Sequence, residues 1–182
     1  ETVYACMARR HRAREPGLTI YRPNVGIALF DARGRVFIAR RIGDDGPEIV
    51  LADQVWQMPQ GGIDANEDPE PAARRELWEE TGIRSVTTLD VMPDWLTYDF
   101  PPYHGPPHRL DRFRGQRQLW FAMRFTGDES EIDLTHSPDG EPVEFCEWRW
   151  ERLEALPDLV VSFKRDIYRA VAARFARFAS AG

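Results

Sequence analysis

Glu76, Glu79 and Glu80 are spaced so that, on a helix, their three carboxylates project from one side. Like charges held that close repel one another. A hard divalent cation such as Mg2+ or Mn2+ removes the penalty, because it prefers oxygen ligands and keeps part of its water shell. For the Glu79-Glu80 pair taken alone, a solvated acidic helix face is the competing reading. The surrounding residues separate the two. Within the 23 residues 61–83, a glycine at 61, Glu67, the step Arg75-Glu76, the glutamate pair and the closing Gly82 all coincide.

The elements that must carry these groups can be read around them. Asp68 is a good N-cap residue, Pro69 suits the first helical turn, and Ala72, Ala73, Leu77 and Trp78 support one short helix that Gly82 can end. Upstream, residues 25–30 read as a buried strand and 31–34 as a turn. Residues 36–39 return, completing a hairpin. Downstream, residues 86–91, 95–98, 118–125 and 144–150 read as strands. Phe163, Ile167, Ala170, Val171, Arg174 and Phe178 recur at helical spacing and predict a long amphipathic C-terminal helix. Strands on either side of an internal helix, followed by a terminal helix, predict an α/β fold, a mixed sheet with helices on both faces.

Composition sets the outer bounds. The 182 residues, 42% of them hydrophobic, suit one domain with one core, with residues 1–19 as a basic N-terminal arm and 20–182 as the domain. No apolar run reaches membrane-spanning length and no secretory leader is evident, which predicts a cytoplasmic protein without a membrane partner. Two isolated cysteines, Cys6 and Cys146, predict free thiols. A net charge of -6 argues against holding long nucleic acid by a global field, so DNA is not expected as a partner. Lys164 is the one lysine in the chain. Two loops, residues 43–53 and the proline-rich, basic stretch 100–115, are long enough to face a substrate. His104 and His108 lie among prolines, where helical spacing does not hold, and make a poor metal pair.

The complete arrangement over residues 61–83 resembles the box of the Nudix hydrolase family. Further segments narrow the resemblance: Tyr21-Arg22-Pro23-Asn24-Val25-Gly26, Trp56-Gln57-Met58-Pro59-Gln60-Gly61-Gly62, Gly115-Gln116-Arg117-Gln118 and Val161-Ser162-Phe163-Lys164-Arg165-Asp166. Together they look like the bacterial RNA pyrophosphohydrolase and dinucleoside polyphosphate hydrolase branch of that family. The resemblance implies a Nudix-type α/β/α sandwich with a loop-helix-loop box that binds Mg2+ or Mn2+ and holds a diphosphate. The implied reaction is hydrolysis of a phosphoanhydride: first, removal of pyrophosphate from a 5′-triphosphorylated RNA end to leave a 5′-monophosphate, with a dinucleoside polyphosphate as the alternative substrate. A non-catalytic nucleotide-binding module of the family ranks below both, because Glu76, Glu79 and Glu80 are all present.

Carried over motif by motif, the resemblance implies Glu76, Glu79 and Glu80 as metal ligands, with a carbonyl of Gly61 or Gly62 as a further one. Glu67 and Arg75 then support the box. Glu131 corresponds to an acid that approaches the metals from another loop, and either Glu80 or Glu131 fits the part of general base. For the substrate the resemblance singles out Arg22, Arg41, Gln116, Gln118, Phe163 and Lys164. The arginines and Lys164 suit phosphates, and Phe163 suits a stacked base. Periodicity alone makes Phe163 a core residue of the terminal helix. Tyr98 is equally a stacking candidate and a half-buried strand tyrosine.

Overall fold

Ten residues after Ile20 form the strand on which the sheet is built. The computed structural model describes residues 20–43, 46–48, 55–138, 140 and 142–179. The expected basic arm, Cys6, and most of the 43–53 loop therefore lie outside the described residues. Strand β1 (Tyr21–Phe30) is buried without interruption from Asn24 to Phe30, the pattern of a strand covered on both faces. β2 (Val36–Arg41) returns antiparallel after a turn in which Asp31 Oδ1 accepts from the amides of Arg33 and Arg35. Gly34 supplies the left-handed residue of that turn, at φ 75°.

Two short segments follow, β3 (Trp56–Gln57) on β2 and β4 (Gln60–Gly62) on β1. Helix α1 (Pro69–Thr81) begins after an extended Asp68, whose side chain makes no cap hydrogen bond, and ends on Gly82 at φ 75°, whose amide donates to the Trp78 carbonyl. β5 (Val86–Val91) and β6 (Leu96–Asp99) both run antiparallel to β7 (Gly115–Phe125). β7 lies parallel to β1 along its whole length, from Tyr21↔Gly115 to Phe30↔Arg124. β8 (Phe145–Glu151) closes the eight-stranded mixed sheet against β2.

The C-terminal region differs in detail from the single long helix that the periodicity predicts. A short α2 (Leu156–Leu159) precedes a 3-10 turn, Ser162–Lys164, then α3 (Arg165–Phe175) and a second 3-10 turn, Ala176–Phe178. Phe163 and Lys164 thus leave the chain just before the α-helix starts.

Helices cover both faces. A Cβ on Gly61 would land on the Glu76 carboxyl of α1, whereas one on the neighbouring Gly62 would meet the Arg22 guanidinium on the other side. That second face carries Gly26 and Trp120, and Trp120 packs edge-on against Tyr168 of α3 at 5.6 Å between ring centres. Ala72, Ala73, Leu77, Val25, Ile27, Leu29, Trp120, Val171 and Phe175 are among the fully buried residues of the one core. Among the described residues no helix is long and apolar enough to cross a membrane.

Candidate active site

Strand β4 and helix α1 bring the acids together. Because Gly61 has no side chain, its backbone closes onto the Glu76 carboxyl, and the amide of Gln60 donates to Glu80 Oε2 at 3.2 Å. Arg75 organises the near side. Its Nε and Nη2 hold both oxygens of Glu67 at 2.9 and 2.8 Å, a bidentate pair, and Nη2 also donates to the Gly62 carbonyl at 2.9 Å. Its Nη1 reaches Glu76 and Glu79, each at 2.9 Å. Glu67 in turn accepts from the Asp64 amide at 3.0 Å, and its hydrogen bonds from Arg75 hold its carboxyl below the usual range. Both residues thus brace the loop onto the helix.

Arg75 gives Glu76 and Glu79 one nitrogen between them, and among the described residues Glu80 has only the Gln60 amide. Burial pushes Glu76 up to about 7 against the pull of Arg75, and Glu79 adds to the push. Burial also holds Glu80 well above the ordinary carboxylate range, and its neighbours Glu144 and Glu76 raise it further. Glu144 and Glu80 line the same cleft. Carboxyls driven toward the neutral form by burial, and further by one another's charge, are suited to a cation that would let them ionise. Among the described residues no three acidic, histidine or cysteine side chains already converge as a cation cage. Instead the oxygens are turned onto Arg75 and the Gln60 amide. The donor set, all oxygen and set beside a bare glycine backbone, fits a hard divalent ion.

Glu131 is not brought into this group. It closes a 3-10 turn, Glu129–Glu131, and its Oε1 accepts from the amides of Arg84 and Ser85 at 2.7 and 2.9 Å. Burial alone would raise Glu131, but those two amides outweigh it and hold the carboxyl below its usual range. The acid that a loop does deliver to the cluster is Glu144, just ahead of β8. Sequence gives no signal for it, since one glutamate before a strand looks like any other surface acid. With His136 and Leu134 it lines a cleft of about 430 Å3 over Glu76, Glu79 and Glu80.

Next to the cleft, Arg22, Arg41 and Arg109 line a polar cavity of about 120 Å3 that also touches Glu76, Gly61 and Gly62. Arg22 and Arg41 are the two arginines that the motifs single out for the substrate. Arg109, from the 100–115 loop, has no motif around it. In that loop, His108 Nδ1 accepts from the Leu110 amide at 3.2 Å, and its ring lies against Gly46.

The other candidate substrate residues meet behind this cavity. The Phe163 ring lies 5.7 Å from that of Tyr98, tilted by 37°, and Lys164 Nζ is 5.4 Å from the centre of the Tyr98 ring. Lys164 is fully buried, as are Gln116 and Gln118. Lys164 Nζ donates to Gln60 Oε1 at 3.2 Å and pairs with Glu48 at 3.3 Å. Burial drives the ammonium pKa down, while Glu48 opposes that change. Gln118 is wholly engaged below them: its Nε2 reaches Asn24 and Gln60, and its Oε1 accepts from Trp120 at 3.2 Å. It sits in the framework and does not line the cavity. Asn24, Glu48 and Gln60 are members of this network that no motif reading assigns to the site, although Glu48 belongs to a loop expected to face the substrate.

Comparison with known proteins accords with this geometry. The family profile described as "NUDIX domain" matches residues 20–171. A protein of Rhodopseudomonas palustris (strain BisB18) named RNA pyrophosphohydrolase is 52% identical over 159 residues, covering 87% of this chain and 90% of that one. One of the same name from Azorhizobium caulinodans is 51% identical over 160 residues, covering 87% and 94%. Among solved structures, a C. elegans Ap4A hydrolase binary complex superposes with TM-score 0.55 at 18% identity over 85% of this chain and 98% of that one. The E. coli dihydroneopterin triphosphate pyrophosphohydrolase does so with TM-score 0.56 at 16% identity, over 86% and 99%. At such identities the two structures bear on the fold alone.

Proposed function

The chain belongs to the Nudix family, and from that premise we propose that it is a metal-dependent hydrolase that removes pyrophosphate from the 5′-triphosphate end of RNA, leaving a 5′-monophosphate. The observation that carries the reading is the pairing of two dissimilar sites across β4. On one side is an acid-rich cluster, Glu76, Glu79, Glu80 and Glu144, in which Arg75 pairs with Glu76 and Glu79; beside it is a cavity lined by Arg22, Arg41 and Arg109 with the Phe163-Tyr98 ring pair behind it. The relatives named RNA pyrophosphohydrolase, at about half identity over most of the chain, support the RNA end as substrate.

Cleaving a phosphoanhydride requires neutralising phosphate charge and aligning a water against one phosphorus. Glu76, Glu79 and Glu80, with the Gly61 carbonyl, are the groups that would hold Mg2+ or Mn2+. When bound, the ion supplies Lewis acidity and a water of lowered pKa. Arg22, Arg41 and Arg109 hold the phosphate chain by charge-assisted hydrogen bonds. Of the neighbouring Glu80 and Glu144, one takes the proton of the attacking water. Phe163, partly exposed and backed by the buried Tyr98 ring, offers an apolar face to the terminal base. No covalent nucleophile is needed.

A dinucleoside polyphosphate presents the same bond and is the second reading, favoured by the net charge of -6, which repels a long polyanion. With Mg2+ present, triphosphorylated RNA and diadenosine tetraphosphate are offered separately and kcat/KM compared. A higher value for RNA is expected, and a preference of orders of magnitude for the dinucleotide would defeat the RNA reading. Glu80→Gln is expected to abolish turnover of both while the far-UV spectrum stays native. Wild-type turnover in that variant would remove the acid cluster from the reaction.

A further inference from the structure

Glu48 stands in the middle of the proposed substrate site although it is neither aromatic nor basic. It is 4% exposed. Its Oε1 pairs with Lys164 Nζ at 3.3 Å, accepts from Gln116 Nε2 at 2.9 Å and accepts from the Tyr98 hydroxyl. The Glu48 backbone carbonyl accepts from Arg41 Nη1 at 3.2 Å. Four side chains nominated for the substrate are therefore turned onto one residue. Burial works against the charge on Glu48, but Lys164, the Tyr98 hydroxyl and Arg41 outweigh it and keep the carboxyl ionised.

Stability does not explain this arrangement, because a buried ion pair gains little over apolar residues of the same volume. The donors around Glu48 are instead those an anionic oxygen of a phosphate would take: an ammonium, a phenol, an amide and a nearby guanidinium. Glu48 also lines the cavity shared by Arg22, Arg109 and Glu76, beside the space where phosphates would lie.

We propose that the Glu48 carboxylate is an intramolecular competitor for the anionic end of the substrate, seated on Lys164, Gln116 and Tyr98 until a phosphoryl group displaces it. Glu48 is thereby a specificity-determining residue. A ligand of low charge must give up as much as it gains in replacing a carboxylate, whereas a polyphosphate brings several oxygens to Arg22, Arg41 and Arg109 at once. The site so guarded selects polyphosphate ends over single phosphates. The proposal rests on the functional reading above only for the identity of the anion.

The test measures binding of inorganic pyrophosphate and inorganic phosphate by calorimetry without divalent metal, so that the basic cavity is read apart from the acid cluster. Glu48→Ala is expected to bind pyrophosphate about tenfold more tightly than wild type. Its preference for pyrophosphate over phosphate is expected to narrow, with Glu48→Gln intermediate. Unchanged or weaker binding by a folded variant would overturn the proposal and make Glu48 a fixed part of the core. Should both variants fail to fold, amide exchange in the wild type decides. Saturating pyrophosphate is expected to speed exchange in the peptide that contains Glu48, and slower exchange there overturns the idea. Turnover of triphosphorylated RNA and diadenosine tetraphosphate by the wild type is measured in parallel. No turnover of either, together with tighter pyrophosphate binding by Glu48→Ala, defeats the functional reading and leaves the competitor standing; the opposite pattern defeats the competitor alone.

Discussion

Glu144 and Glu131 are both acids supplied by loops, and their surroundings suit them to opposite tasks. Glu144 lines the cleft beside Glu80, whereas Glu131 is tied to two amides at the far end of the box helix. Glu144→Gln is therefore expected to lower kcat about a hundredfold, the usual scale for losing a proton-transfer group. Glu131→Ala should instead cost stability, about 1 kcal/mol for amides left without an acceptor, with kcat within about tenfold of wild type. Steady-state kinetics and urea unfolding of the two variants check this, and the reverse ranking would bring Glu131 back to the reaction. Glu76 gives a second prediction at this scale. Its folded pKa, about 7, lies above that of an unfolded glutamate, so the folded state binds its proton more tightly. The stability this contributes is complete below about pH 4.5 and is lost as pH rises toward 7, on the order of 3 kcal/mol. In chelator, wild type should melt progressively lower across that window while Glu76→Gln follows a flatter course; equal slopes would refute the assignment.

At the scale of elements, strand β4 decides how closely the backbone and the acids approach. Gly61→Ala would push a methyl group into the Glu76 carboxyl, so a loss of about 1–3 kcal/mol in stability and a fall in turnover of at least about tenfold are expected. A chemical melt and an initial-rate assay are enough to see both, and a variant with normal turnover would show that Glu76 can move without consequence. This strand also shows what the sequence reveals and what it conceals. β1, β7 and α1 were legible because apolar runs, an N-terminal proline and a closing glycine are local signals. β3 and β4 have only two and three residues, mostly polar, and exist because β2 and β1 pair with them. The Phe163 periodicity pointed to the terminal helix, yet the chain there forms a 3-10 turn that turns Phe163 toward Tyr98. Glu144, Glu48 and Arg109 were invisible as site residues for a related reason: each joins the site by tertiary packing of a loop, and no local pattern records that.

Across the whole molecule, the C-terminal helix is fastened to the segment that leads into the acid cluster. The buried Tyr168 hydroxyl accepts from the Met58 amide at 2.8 Å. Tyr168→Phe leaves that amide without its acceptor, and a loss of about 1–3 kcal/mol is expected in urea denaturation; a smaller loss would mean that the helix is held by its apolar face alone. Two residues further on, Gln60 makes a connection of another kind. Its amide donates to Glu80 on one face of the sheet, and its side-chain oxygen accepts from Lys164 and Gln118 on the other. One residue thus serves as the gauge block between the place where acids gather and the place where the rings and the lysine gather. An insertion or deletion within Gln60–Gly62 would reset the spacing of both.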